Sequence, residues 1–328
     1  MTGEASTVIN PDPDHSHPDP IGQPLRHRVL VVDDNTDLAA YMEATEGAYK
    51  VKAPSAWESE LIEDMLDCGE EAGTHLPWGQ TQGRFRVRHS ELTVWGGYNG
   101  AGKSLVTSQV ALALADQGEP VCIASFEMKP RRTLGRMVRQ ACLKEEPSRQ
   151  ELTRFLDWAE GKIWLYDQLG RCEAKTVLAV MRYAAEVRGV KHFIVDSLMK
   201  VVRGDEDYDG QKDTVDAFTA IARDTQMHVH LVAHMRKPGQ YGGNRAGKYD
   251  LKGSSAISDL ADNVIILERN LDSQGSVPAG EPEAWLKVAK QRNGAWEGSI
   301  PLWRMGNALA YADNCRGVKP DFGHAILA

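Results

Sequence analysis

The sequence predicts an α/β fold, a mostly parallel twisted sheet with helices on both faces. Three observations carry that prediction. Short apolar runs alternate with helical stretches over most of the 328 residues. A phosphate-loop pattern, G-x-x-x-x-G-K-S from Gly97 to Ser104, stands between one such run and one such helix. The apolar runs lead into Glu127, Asp196 and His234, and the carboxyl ends of parallel strands are where an open α/β sheet gathers its ligands.

The loop sits in Val94-Trp95-Gly96-Gly97-Tyr98-Asn99-Gly100-Ala101-Gly102-Lys103-Ser104. Leu92-Thr93-Val94-Trp95 is apolar and β-prone, fit for a buried strand. Residues 105–115 read as a helix, and Gly118 can stop it. Gly97, Gly100 and Gly102 let the backbone curl until its amides point at one anion. The helix aims the positive end of its dipole at the same place. Lys103 adds a full charge for β- and γ-phosphates, and Ser104 offers a hydroxyl to Mg²⁺. A chance glycine-rich turn would lack the strand or the helix, and here both are present.

The remaining elements follow in order. Residues 1–25 are rich in Pro, Asp and His and cannot bury a core, which predicts a disordered tail. His15 and His17 read as part of that solvated tail rather than as metal ligands. Arg28-Val29-Leu30-Val31-Val32-Asp33-Asp34 looks like the opening strand of a receiver or Toprim domain. Only 58 positions separate Asp34 from Leu92, too few to finish either, so a small structural region over 26–74 is expected. Trp57, Leu61, Ile62, Met65 and Leu66 have helical spacing before Gly69. That helix packs on its own domain or on a neighbouring subunit.

Val121-Cys122-Ile123-Ala124-Ser125-Phe126-Glu127-Met128 reads as a buried parallel strand ending in a carboxylate. Pro130 opens a helix to 144, and Ser148-x-x-Glu151 is a capping box opening another through 159. Strands are expected at 163–166, 192–197, 229–234, 263–268 and 284–290, with helices at 175–188 and 213–225. Residues 205–210 read as an acidic loop and 235–250 as a loop rich in Gly, Lys and Arg. Residues 317–328 read as a tail.

Composition narrows the class. Charged residues are 26% and hydrophobic ones 42%, as in soluble globular proteins. A formal net charge of −8 means that any nucleic-acid binding rests on a local basic patch. Cys68, Cys122, Cys142, Cys172 and Cys315 are too scattered for a zinc ribbon or a C-x-x-C motif, which suggests reduced thiols in a cytosolic protein. No apolar run of membrane-spanning length and no signal-peptide layout is seen, so no membrane partner is expected.

Five further stretches carry a family resemblance. Ser125-Phe126-Glu127-Met128, Val195-Asp196-Ser197-Leu198, Leu231-Val232-Ala233-His234, Asp250-Leu251-Lys252-Gly253-Ser254-Ser255 and Ala289-Lys290-Gln291-Arg292-Asn293-Gly294 stand in the order of the superfamily 4 replicative helicases. These comprise bacterial DnaB, mitochondrial Twinkle and the helicase half of phage primase–helicases. The resemblance covers residues 75–316. It implies a RecA-like P-loop core in a ring, usually a homo-hexamer, with ATP or another nucleoside triphosphate and Mg²⁺ between subunits. Such a ring translocates on single-stranded DNA and opens the duplex. A primase, polymerase or loader is then a candidate further partner, and the cytoplasm of a bacterium or phage-infected host the implied location.

Residue by residue, the resemblance makes Gly97, Asn99, Gly100, Ala101, Gly102, Lys103, Ser104 and Leu105 the ATP-binding loop. Ser104 and Asp196 hold Mg²⁺, Glu127 is the catalytic base and His234 the γ-phosphate sensor. His234 matches the phage type, since bacterial DnaB has glutamine there. Lys290 and Arg292 match residues that reach into a neighbour's site; two apart on a strand, they share a face. The central-channel loops match 202–212, 236–248 and 252–255, giving Arg236, Lys237, Arg245, Lys248, Lys252, Gly253 and Ser254 as the DNA track. Cations and free amides suit a phosphodiester path without base readout. Asp205, Glu206, Asp207 and Asp209 make the first loop acidic, which leaves Lys200, Arg203 and Lys212 as its only candidate contacts. A zinc motif and a full Toprim site are missing, which argues against primase activity. The rival readings are a RecA/RadA-like recombination or repair ATPase, and a non-unwinding loader or signalling ring.

Overall fold

The computed structural model describes residues 53–62, 73–204, 206–236, 250–253 and 255–316. The chain divides into two compact units, Met1–Glu70 and Glu71–Ala328. In the first, a 3₁₀ turn Pro54–Trp57 leads into a short helix α1 (Glu58–Ile62), with Trp57, Leu61 and Ile62 exposed. The expected tail, the strand after Arg28 and the rest of the amphipathic helix lie outside the described residues. No helix among the described residues is long and apolar enough to cross a membrane.

The second unit is built on one nine-stranded sheet in the order β3-β2-β4-β5-β1-β6-β7-β8-β9. Its parallel part comprises β1 (Leu92–Gly97), β2 (Val121–Ser125), β3 (Ile163–Leu165), β4 (His192–Asp196), β5 (His228–Val232) and β6 (Asn263–Arg269). β7 (Ala284–Gln291), β8 (Gly298–Arg304) and β9 (Tyr311–Ala312) extend it antiparallel. β1 is central, parallel to β5 on one side and β6 on the other, and all six of its residues are buried.

Period-2 alternation sends successive strand residues to opposite faces. Trp95, Ile123, Ile194 and Ile265 pack beneath α2 (Lys103–Asp116), α3 (Pro130–Cys142) and α4 (Arg149–Ala159), around Leu112, Met137 and Phe155. Val94, Cys122, Phe193 and Val264 pack beneath α5 (Ala174–Arg188), α6 (Tyr208–Thr225) and α7 (Ala256–Leu260), around Met181, Phe218 and Ile257. Two covered faces explain why the strands read as unbroken apolar runs.

Local signals set several helix ends. Ser148 and Glu151 form the expected capping box at α4, and Gly189, at φ 65°, ends α5. α6 begins at Tyr208, inside the stretch expected to be loop, because the Asp207 carboxylate accepts the Gly210 amide at 3.1 Å. Its acids lie where the helix dipole favours negative charge, so an acidic stretch that reads as loop becomes a first turn. β8 and β9 go beyond the sequence reading. Pro301 obscures β8, yet β9 pairs only with Trp303 and Arg304, so Pro301 has a strand neighbour on one side only.

Candidate nucleotide-binding site

The crossover topology gathers the polar strand ends. β5 lies between β1 and β4, so the segment after β5 falls between the phosphate loop and Asp196. Glu127, two residues past β2, comes from the next strand over. These residues line one cleft of about 800 Å³ at the carboxyl ends of the parallel strands, together with Asn99, Gly100, Gly102, Ser104 and Leu105.

The glycines of the loop have separate reasons. A Cβ at Gly97 would stand 2.9 Å from the Leu267 carbonyl oxygen, so the close approach of β6 excludes one. Gly102 caps α2 at φ 97°, in the left-handed region that disfavours side chains. Lys103, the first residue of α2, is buried. Its Nζ donates to the carbonyls of Gly97 at 2.8 Å and Tyr98 at 3.0 Å and lies 3.3 Å from His234 Nδ1. Burial lowers its pKa, against the pull of Asp196 and Glu127.

Asp196 closes β4, half-buried. Burial raises its pKa, while a hydrogen bond from Ser104 and the charges of Lys103 and Arg136 act the other way. A carboxylate and a hydroxyl so joined, beside a buried ammonium, form a donor set that suits a hard cation carrying phosphate oxygens. Glu127 is exposed, and its Oε1 lies 3.4 Å from Lys200 Nζ. His234 is tied by its backbone carbonyl to the Lys252 amide at 2.8 Å, and Met235 bridges to Leu251. His234 and the segment 250–253 are therefore mechanically joined.

The same cleft holds residues that the sequence reading missed. Arg136 on α3 reaches it, donates to Met128 Sδ at 3.4 Å and has its pKa lowered by burial. Arg171 and Met199 also line it, and so does Lys200, expected at the DNA channel. Arg136 is one of several arginines on its helix, and no spacing singles it out. The resulting excess of cations suits a polyanionic ligand.

Other expected site residues lie apart. Gly97 and Ala101 shape the loop without lining the cleft. Arg292 stands one residue beyond β7 rather than within it, and pairs with Asp262 at 2.8 Å. Lys290 Nζ donates to the carbonyls of Ser258, Asp259 and Ala261, at the carboxyl end of α7. Both point at the same corner of the sheet, and neither lines the cleft of its own chain. By contrast, Arg236 and Lys252, expected on the DNA track, line the nucleotide cleft too; Arg236 is exposed and donates to the Gly253 carbonyl at 2.7 Å. Gly253 is buried against Gln211, whose amide would have to swing aside for a Cβ, and its φ of 115° lies in the region that disfavours side chains. Lys237, Arg245, Lys248 and Ser254 lie outside the described residues.

Comparison with known proteins agrees with this geometry. Residues 86–240 match the family described as an AAA domain. The DNA helicase/primase of Enterobacteria phage T3 is 26% identical over 212 residues, covering 58% of this chain and 37% of that protein. The Twinkle homolog protein, chloroplastic/mitochondrial, of Arabidopsis thaliana is 25% identical over 255 residues, covering 70% and 35%. The chain thus spans little more than a third of these curated relatives. Among solved structures, a DnaB-like replicative helicase described with its interactions with primase superposes with a TM-score of 0.67 at 14% identity, covering 85% of this chain and 72% of that one. A second solved structure, described as an ATPase domain, superposes with a TM-score of 0.65 at 16% identity, covering 86% and 100%. The nine-stranded unit thus has the fold of a RecA-like, nucleotide-binding ATPase core, and in sequence it is similar to the replicative helicases of superfamily 4.

Proposed function

We propose that this chain is the motor of a ring-forming replicative DNA helicase, which hydrolyses ATP with Mg²⁺ at subunit interfaces and moves along single-stranded DNA. One observation carries the reading: Lys103, Ser104, Glu127, Asp196 and His234 line a single cation-rich cleft, while Lys290 and Arg292 sit outside it. In this reading the phosphates lie along the loop amides and Lys103. Mg²⁺ is held through Ser104 and Asp196 and supplies charge neutralisation at the transferred phosphoryl group. Glu127 takes the proton of the attacking water. His234 senses the γ-phosphate, and its backbone bond to Lys252 passes the change to the DNA-facing segment. Arg292 and Lys290 complete a neighbour's site. Primase, polymerase or loader contacts belong to the same proposal, as does a cytoplasmic setting.

The test is ATP hydrolysis with and without single-stranded DNA, followed by strand displacement on a forked duplex. DNA-stimulated turnover with unwinding is expected. Stimulation without unwinding would favour a recombinase-like ATPase. Slow turnover indifferent to DNA would favour a loader or signalling ring.

A further inference from the structure

At the amino ends of the parallel strands, away from the nucleotide cleft, histidines crowd together. His192 opens β4 and Asp196 closes it, so the two ends stand about 13 Å apart. The rings of His228 and His230 are 4.4 Å apart between centroids, and those of His192 and His230 5.5 Å. His228 is satisfied, its Nδ1 on the Arg88 carbonyl and its Nε2 at 2.9 Å from Thr93 Oγ1.

His192 is different. The Trp95 indole can only donate, and it gives its proton to His230 Nδ1 at 3.2 Å. His230 therefore carries its own proton on Nε2, facing His192 Nδ1 at 3.4 Å. That leaves the His192 proton on Nε2. The side chain is 0% exposed, and this nitrogen has no hydrogen-bond partner. The same atom lies 3.9 Å from Glu119 Oε2, and that oxygen lies 3.1 Å from His89 Nε2. One ligand atom from each of His89, Glu119 and His192 falls within 4.8 Å of the others.

We propose that His89, Glu119 and His192 form a binding site for a borderline divalent cation of the zinc class, with water completing the coordination on the His89 side. Ligands on a tetrahedral zinc, at bonds of about 2.0–2.1 Å, stand roughly 3.3–3.4 Å apart. The observed 3.1 and 3.9 Å bracket that spacing. His89, whose side chain is 41% exposed, has the freedom to close the rest and opens the site to solvent. Two imidazoles and one carboxylate favour zinc or cobalt over magnesium or calcium, which prefer all-oxygen shells.

Lys191 acts on both Glu119 and His192 and opposes a cation, and the imidazole protons rearrange to admit one. On binding, the His192 proton passes from Nε2 to Nδ1 and is donated to His230. The His230 proton moves to Nδ1, and Trp95 gives up its bond. The Trp95 hydrogen bond is exchanged for a metal–nitrogen bond and the unpaired N–H on His192 disappears, while the buried N–H groups of Trp95 and His230 are left facing each other, a cost that the metal–nitrogen bond has to offset. The ion ties together the segments that precede β1 and β2 and the start of β4, so its role is to hold the amino edge of the sheet.

The test titrates the full chain, stripped with chelator, with Co²⁺ and then Zn²⁺ in excess Mg²⁺ and without nucleotide. Binding of one Co²⁺ with the visible spectrum of a four-coordinate nitrogen–oxygen site, free of thiolate charge transfer and displaced by Zn²⁺, is expected. His89→Ala and Glu119→Ala should each weaken it at least about 10-fold. A His15→Ala/His17→Ala control should leave it unchanged, and Mg²⁺-supported ATP turnover should not depend on the bound ion. Absence of saturable binding would overturn the proposal. So would binding that survives both ligand substitutions, or that is lost in the tail control. His89 is exposed, so loss of binding in that variant is not a folding defect.

Discussion

Lys200 Nζ lies 3.4 Å from Glu127 Oε1, so a cation from the segment after β4 rests on the carboxylate proposed to activate water. With side chains 35% and 52% exposed, the pair is open to solvent and screened. Exposed pairs contribute about 0–1 kcal/mol, which corresponds to at most roughly a 5-fold change in rate. Lys200→Met is expected to raise DNA-free ATP turnover by up to that factor and to shrink the stimulation given by single-stranded DNA. Steady-state turnover with and without DNA measures it. A variant with lower basal turnover would mean that Lys200 assists the reaction instead.

Lys103 and Glu127 should separate binding from chemistry. Lys103→Ala removes the buried ammonium at the phosphate loop and should abolish nucleotide binding by fluorescence titration. Glu127→Gln keeps the shape of the side chain but cannot take a proton. It should still bind ATP and lose about 10²–10⁴ in turnover. Parent-like hydrolysis by Glu127→Gln would remove it from the role of base.

Arg292 pairs with Asp262 within its own chain and lines no part of its own cleft. If it completes a neighbour's site, Arg292→Ala should bind ATP almost normally and lose about 10³–10⁵ in turnover. A planar guanidinium can bridge two phosphoryl oxygens, which the Lys290 ammonium cannot. Mixing Arg292→Ala with Lys103→Ala should restore activity at interfaces that pair an intact Lys103 with an intact Arg292. Mixed rings that form yet stay inactive would rule out action in trans.

The histidine cluster makes acid stability a property of the sheet's amino edge. Burial pushes His228 down to about 4 and holds His192 and His230 well below the ordinary value. An unfolded chain takes up these protons near pH 6.5, whereas the fold refuses them. Stability is therefore full above about pH 6.5 and falls as pH drops towards 4. The loss approaches 1.4 kcal/mol per pH unit for each histidine kept neutral. Glu119, also depressed, adds its loss only at lower pH, below the ordinary carboxylate value. Denaturant midpoints at pH 7.5 and 5.5, with chelator present, measure the slope. A flat profile would mean that the three rings accept protons within the fold.

The sequence alone determined the phosphate loop, the parallel strands and most helix ends, because these are local. Gly102 and Lys103 sit beside each other in the chain, a buried strand is an apolar run, and Ser148 with Glu151 is a cap wherever it occurs. It also named Glu127, Asp196 and His234, since each directly follows or ends such a run. Tertiary structure decided what depends on strand order. Nothing in the chain states that β5 lies between β1 and β4, yet that order brings His234 to Lys103. The same order stacks His192, His228 and His230 at the opposite edge, because β4 and β5 are neighbours there. Arg136 and Lys200 became cleft residues only when α3 and the segment after β4 packed beside the loop. A side chain's reach is local, but the address it reaches is set by crossovers many residues long, and no pattern of neighbours in the sequence encodes that distance.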